Sequence, residues 1–279
     1  MLSTIGIRLA MSLLAVAVSF AAGAVNAQNK KTVINAETLT SSPPYGYKDP
    51  ATSKLMGKDI DLIEAIAGKM GAKVNWIESN WAQAVSFSSI KTKRADISIS
   101  MTDTPERRET VSFLDTLNDP QVFFTLRDNA ARFPDMAALC GKRVAATRSS
   151  VIIMGGVANV NEQYCIKAGK PAMIVTGTDG SSQSKLDLSQ GRADLAVQSA
   201  IELAYQNRVE GNRYVTVGEP AVKVNWMGFV IPKDDPQFQQ ALKKAFSEVI
   251  ADGSYRKILL KWNIPEQLAV KQAMINGQP

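Results

Sequence analysis

Apolar residues recur along the chain with two periods, near two and near 3.6, and the two alternate in order. Residues 32–35 form a β-prone segment that meets the break Ser41-Ser42-Pro43-Pro44 and the aromatic pair Tyr45 and Tyr47, which reads as a strand entering a loop. Ile60, Ile63, Ile66, Ala67 and Met70 then repeat at three and four residues, and Gly71 stands where a helix closes in the left-handed conformation. Val74 and Trp76 alternate as in a strand. Asn80 with Gln83 opens a further helix carrying Trp81 at its mouth, and residues 96–100 alternate at period two. The order is βαβαβ, with crossovers long enough for parallel strands.

The middle of the chain repeats this grammar. Residues 143–146 read as a strand, 147–151 as a polar turn, 182–188 as a helix and 194–198 as another strand. Phe238, Leu242, Ala245, Phe246 and Val249 form a helical stripe that ends at Gly253, and Tyr255, Ile258, Leu259 and Trp262 form another. Both match ordinary buried helix faces. No repeat of solenoid period and no Gly/Ser linker divides the chain, so two α/β lobes sharing it discontinuously are expected.

Residues 1–8 carry one positive charge and no acid, residues 9–22 are almost wholly apolar, and Val25-Asn26-Ala27 supplies small residues at the offsets of a cleavage site. This predicts a secretory signal peptide over 1–27, cut after Ala27. The apolar run is short for a bilayer span, and no cysteine follows it to take a lipid. Export makes Cys140 and Cys165, the two cysteines of the chain, a candidate disulfide.

Composition narrows the chemistry. The 279 residues contain no histidine, which excludes a Ser-His-Asp triad, a Cys-His dyad and a histidine-ligated zinc. Two cysteines cannot build a four-thiolate metal site. The formal charge of +6 lies in short clusters (Lys30-Lys31, Lys91 to Arg94, Arg107-Arg108, Lys142-Arg143) scattered among acids and without interleaved aromatics, so no nucleic-acid partner is expected.

The most informative stretch is Ser100-Met101-Thr102-Asp103-Thr104-Pro105-Glu106-Arg107, at the carboxyl end of a predicted strand. Thr104 suits an N-cap, Pro105 the first helical position, and Arg107 then falls in the first turn. Backbone N–H groups, the hydroxyls of Ser100 and Thr102 and a guanidinium converge there, an anion site in which arginine grips a carboxylate with two parallel bonds. The alternative is that Arg107 pairs with Glu106, Glu109 or the adjacent lobe.

With these residues in place the chain resembles the bacterial periplasmic solute-binding proteins of polar amino acid ABC importers, solute-binding protein family 3. The markers are Pro43-Pro44-Tyr45, Gly57-Lys58-Asp59-Ile60-Asp61-Leu62 with Ala65-Ile66-Ala67, and Met101-Thr102 through Thr104-Pro105-Glu106-Arg107. Gly191-Arg192-Ala193-Asp194, Pro232-Lys233-Asp234-Asp235 and Ala251-Asp252-Gly253-Ser254-Tyr255 add to them. The resemblance implies an α/β fold of two lobes joined by two hinge crossovers (type II), with lobe one at 28–119 plus 226–279 and lobe two at 120–225. It implies a monomer whose cleft closes on a small carboxylate-bearing solute and whose closed form docks on a membrane permease, without catalysis, cofactor or metal. By position Arg107 would hold the ligand carboxylate, Thr102 and Ser100 would add hydrogen bonds, and Trp81 would form an apolar wall. The family's Gly-Thr-Thr turn falls on Ser149, Ser150 and Val151, where Ser150 keeps the hydroxyl and Val151 offers its backbone N–H.

Two departures stand out. The position that usually carries an Asp for the ligand ammonium is Ser199, and the aromatic that usually precedes the two prolines is Ser42. A serine supplies no negative charge. Either Glu202 or another carboxylate takes over, or the ligand is not a simple α-amino acid; Glu202 itself reads as a solvated helix residue. Tyr45 either refills the aromatic wall or packs at the lobe surface. Lys58, where the family commonly has an aromatic residue, reads as an exposed change. Two further readings remain: an exported dehydratase acting on a cyclic carboxylate, for which Glu202 would be the general acid, and a periplasmic ligand-sensing module.

Overall fold

The computed structural model describes residues 31–279, so the predicted signal peptide lies outside the described residues. In chain order the main elements are β1 (Val33–Leu39), α1 (Lys58–Met70), β2 (Lys73–Ser79), α2 (Trp81–Val85), β3 (Ser100–Thr102), α3 (Pro105–Arg108), β4 (Ser112–Asn118) and β5 (Gln121–Leu126). They continue with β6 (Arg143–Thr147), α4 (Val151–Asn161), β7 (Ile174–Thr178), α5 (Ser181–Ser189), β8 (Leu195–Ser199) and α6 (Ala200–Val209). The last are β9 (Tyr214–Thr216), β10 (Trp226–Ile231), α7 (Pro236–Ala251), α8 (Ser254–Lys261) and β11 (Ala269–Ile275).

Two sheet systems result. In the first, β1 pairs parallel with β2, and a bridge between Ala36 and Ile97 passes the ladder to the segment before β3. From there the Ser98 N–H donates to the Val230 carbonyl at 2.8 Å, reaching β10, which lies in the order β11-β4-β10-β3. In the second, the order is β7-β6-β8-β5-β9, with the first three strands parallel and β5 and β9 antiparallel to their neighbours. Strand residues are divided between two cores by their period of two: Leu114, Phe229 and Ile231 pack on one face, Phe113 and Val230 on the other. Sheets covered on both faces read as continuous apolar runs, which is why β4, β5 and β10 carry no alternation.

The α1 stripe buries Ile60, Ile63, Ile66 and Ala67, and Gly71 closes the helix at φ 68° with its N–H on the Ala67 and Gly68 carbonyls. Helix α7 starts at Pro236 under an Asp235 cap that accepts the Phe238 N–H at 3.0 Å, and it buries all five residues of its stripe. The 96–100 segment differs from expectation. It contributes one bridge, and the regular ladder runs over Ser100–Thr102 instead, because there the chain lies against β10. Residues 147–151 are less of a turn than expected, since Val151 already begins the eleven-residue α4.

The connections between the two sheet systems run side by side. Asn225 N–H donates to Asn118 Oδ1 at 2.7 Å, Asp119 N–H to the Asn225 carbonyl at 2.9 Å, and Gln121 exchanges backbone bonds with Val222 at 3.1 and 3.2 Å. Helix α4 presses on this crossover: a Cβ on Gly156 would stand 2.6 Å from Val222 Cγ2 and 2.8 Å from the Ala221 carbonyl oxygen.

Lys58 corrects the sequence reading. It is 1% exposed, forms an ion pair with Asp59, and lies 4.9 Å from the centre of the Tyr45 ring. Gly57, at φ 151°, makes this possible by letting the backbone pass against the Tyr45 carbonyl, which a Cβ would strike at 1.9 Å. A lysine at 58 therefore places a cation inside the protein, where it needs a partner.

Cys140 and Cys165 are bonded, with Cα atoms 5.4 Å apart and a sequence separation of 25. Unfolded but unreduced protein should show no titratable thiol, and replacing both cysteines with serine should lower the unfolding free energy in denaturant by about 3–4 kcal/mol. Lys58→Met leaves the buried Asp59 carboxylate without its cation and should cost about 3–5 kcal/mol in the same measurement, against under about 1 kcal/mol for an exposed lysine.

Candidate functional site

A cleft of about 980 Å³ opens where the last residues of four strands meet: Leu39 of β1, Thr102 of β3, Thr147 of β6 and Ser199 of β8. Ligands of α/β sheets collect at carboxyl ends of strands because the loops there are free to vary while the strands fix their origins. The structure brings to this one cavity Arg107, Thr102, Ser100 and Trp81, together with Ser150, Val151, Ser199, Tyr45 and Ser42.

Arg107 is placed by the local sequence. Thr104 Oγ1 accepts the Arg107 N–H at 3.4 Å, Pro105 sets the first helical residue, and α3 lasts a single turn. The guanidinium donates from Nη1 to the Thr102 carbonyl at 2.6 Å and, among the described residues, makes no ion pair. Asp103, the nearest candidate, is instead held by Arg108 at 2.5 and 2.6 Å. Neither Glu106 nor Glu109 takes Arg107. Half-burial lowers the arginine pKa, opposed by the Asp103 and Glu106 charges, and the group stays cationic. Four of its five N–H donors remain for a ligand.

The other expected residues divide by what their polar atoms already do. Trp81 is 55% exposed and offers an apolar face, and Val151, 85% exposed, does the same at the start of α4. Ser150 caps α4, its Oγ accepting the Ile153 N–H at 3.3 Å and leaving its proton available. Ser100 is more committed: its Oγ donates to Asp59 at 3.0 Å and sits 3.5 Å from Lys58 Nζ. Thr102 lends its carbonyl to Arg107 and points its hydroxyl toward Met227 Sδ at 3.5 Å. Ser42 lies on the cleft wall beside Tyr45.

An acidic side was missed in the sequence. Asp119, 1% exposed, sits in the crossover after β4, where its Oδ2 accepts Tyr45 Oη at 3.0 Å and Ser199 Oγ at 2.7 Å and its Oδ1 accepts the Ile201 N–H at 3.2 Å. Burial pushes its carboxyl up, and the Ser199, Ile201 and Tyr45 bonds with the Lys58 charge pull it back. Tyr45 thus belongs to the cleft rather than the lobe surface; burial and the Asp119 charge raise its phenol well above the usual value. Glu202, read as solvated, is half-buried on the cleft wall. Burial and then the Asp119 charge push its carboxyl up to about 7. The one available signal for Asp119 was the polar Asn118-Asp119-Pro120 interrupting two apolar strands. Among the described residues no cluster of acids and cysteines has a metal-holding geometry, and no helix is long and apolar enough to cross a membrane.

The arginine-binding protein ArgT of Corynebacterium glutamicum is 29% identical over 252 residues, covering 90% of this chain and 80% of that protein. The histidine-binding periplasmic protein of Salmonella typhimurium is 28% identical over 264 residues, covering 91% and 96%. Among solved structures, an ancestral arginine-binding protein bound to arginine superposes with a TM-score of 0.60 at 28% identity, covering 84% of this chain and 99% of that one. A family model spans residues 34–265, which include the whole cleft and every strand except β11, and by it the chain belongs to the bacterial extracellular solute-binding proteins, family 3.

Proposed function

We propose that the protein is the periplasmic solute-binding component of an ABC importer for an amino acid or a related carboxylate-bearing polar solute, exported by residues 1–27. The observation that carries this reading is the Arg107 guanidinium, anchored to a main-chain carbonyl at 2.6 Å and left without an acidic partner inside a cleft of about 980 Å³. Arg107 grips the ligand carboxylate, the Ser150 hydroxyl and the Val151 N–H close on it from the start of α4, and Trp81 covers the apolar part. Two or three charge-assisted bonds at about 1.5–3 kcal/mol each supply most of the roughly −8 kcal/mol of a micromolar complex. Lobe one is 28–119 plus 226–279 and lobe two is 120–225. The paired crossovers at 118–121 and 222–225 are the hinge on which the lobes close, and the closed form is what the permease recognises.

Family membership and the similarity to amino acid-binding relatives support this reading. One observation favours a second: Glu202, with a carboxyl near 7 inside the cleft, has the character a dehydratase needs in its general acid. Incubation with prephenate or arogenate separates them, since binding without catalysis gives no turnover.

A screen of amino acids and related carboxylates by thermal shift should find a ligand that raises the melting temperature, equivalent to about 2.7 kcal/mol at a hundredfold excess over Kd. Arg107→Ala should abolish that shift while leaving the unliganded melting temperature within a few degrees. A full ligand response in Arg107→Ala would overturn the reading.

A further inference from the structure

The cleft wall built by the β4–β5 crossover, β8 and α6 has committed its hydroxyl donors to its own acceptors. Tyr45 Oη and Ser199 Oγ both donate to Asp119, the Glu202 N–H donates to Ser199 Oγ at 3.1 Å, and Gln198 Nε2 donates one proton to Gln206 Oε1 at 2.8 Å. Beside the second protons of its side-chain amides, what is left is acceptors, and the charged one is Glu202. Gln198 is 2% exposed and lines the cleft, yet its Oε1 has no hydrogen-bond partner among the described residues, a loss of hydration that nothing offsets until a donor arrives. The Glu202 carboxyl lines the same wall and likewise accepts no hydrogen bond among the described residues.

The charges leave the same remainder. Lys58 is ion-paired with Asp59 and Lys185 with Glu210, and Arg107 is matched by a ligand carboxylate, so Asp119 and Glu202 act on each other without an ion-pair partner among the described residues. A ligand carbonyl or second carboxylate would set lone pairs against lone pairs here, and a hydroxyl would bring one donor but no charge. An ammonium brings three donors, no acceptor and the missing charge.

We propose that the cleft holds the ligand's ammonium group with Glu202 and Gln198 Oε1, backed across Ser199 by the buried charge of Asp119, in place of a carboxylate on residue 199. The negative charge has moved one layer behind the serine and one turn along α6. The ligand is therefore a zwitterion, gripped at one end by Arg107 and at the other by this wall. The inference rests on the reading of Arg107 as the carboxylate anchor.

A proton accompanies the exchange. With the Glu202 carboxyl near 7, the empty cleft is about half protonated at neutral pH, and an ammonium binds only the ionised form. The charged and titratable groups acting on it are Asp119 from the crossover, Tyr45 before the first helix and Lys185 from α5, with Lys58 of α1 acting on Asp119. Of these Asp119 raises the carboxyl and Lys185 lowers it. Binding releases a proton, and affinity rises about tenfold from pH 6 to pH 8.

The test is titration calorimetry at pH 6 and pH 8 with a panel of L-amino acids that stay zwitterionic over this range, L-arginine and L-glutamine among them, each beside its des-amino carboxylate. The amino acid that binds should do so at least tenfold more tightly than its des-amino partner and more tightly at pH 8. Glu202→Gln, which removes a half-buried charge and should not lower stability, should erase both differences, and Ser199→Asp in that background should restore the preference for the ammonium. An equally tight des-amino partner, or an unchanged amino acid affinity and pH profile in Glu202→Gln, overturns the inference; if Arg107→Ala still abolishes binding, the carboxylate reading survives. If no member of the panel binds, both fall.

Discussion

The architecture turns on a cation that the fold positions but does not neutralise. Taking a guanidinium half out of water without an acid beside it is unfavourable, and the chain tolerates it by giving Arg107 one strong bond, to the Thr102 carbonyl at 2.6 Å, and a rigid origin in the Thr104-capped turn. The first anchor ends β3 and the second follows two residues later, so the ladder of β3 to β10 fixes where the turn begins. Asp103, which stands closest in sequence, is kept away because Arg108 occupies both of its oxygens. In the proposed reading a ligand carboxylate would meet a donor whose orientation has already been fixed, so less freedom would be lost on binding.

Below that turn the floor is a network of buried charge. Lys58, Asp59 and Ser100 tie the start of α1 to β3, while Tyr45, Asp119 and Ser199 tie the loop before α1 to the crossover and to the start of α6. Asp119 is bonded to groups from both sheet systems and sits within the paired crossovers. The side chains that join the two halves also line the cleft, and in the proposed reading this is the physical route by which a small solute would bias the angle between them.

Much of this was legible from residue order alone. The stripes of α1, α7 and α8, the Gly71 stop and the Thr104-Pro105 start stand in the structure as the spacing requires, because each depends on neighbours within a turn or two. What local pattern could not give was partnership at a distance. Helix α4 was hidden by an unbroken apolar run with two glycines, one of which is small because it abuts residues 221–222. Lys58 looked exposed because its partner Asp59 and its cover Tyr45 only become neighbours through the backbone approach at Gly57. Asp119 and Ser199 are eighty positions apart in the chain and 2.7 Å apart in space, so the serine at 199 could not be connected with the acid at 119 before the fold was known.

The central claim is that Arg107 waits for a carboxylate. The most direct measurement is the crystal structure of the protein grown with the amino acid that most raises its melting temperature. The account predicts both carboxylate oxygens at about 2.7–2.9 Å from Arg107 nitrogens, with the Thr102 carbonyl bond retained. A ligand carboxylate held elsewhere, with the Arg107 side chain turned into solvent or paired with an acid of the protein, would contradict it.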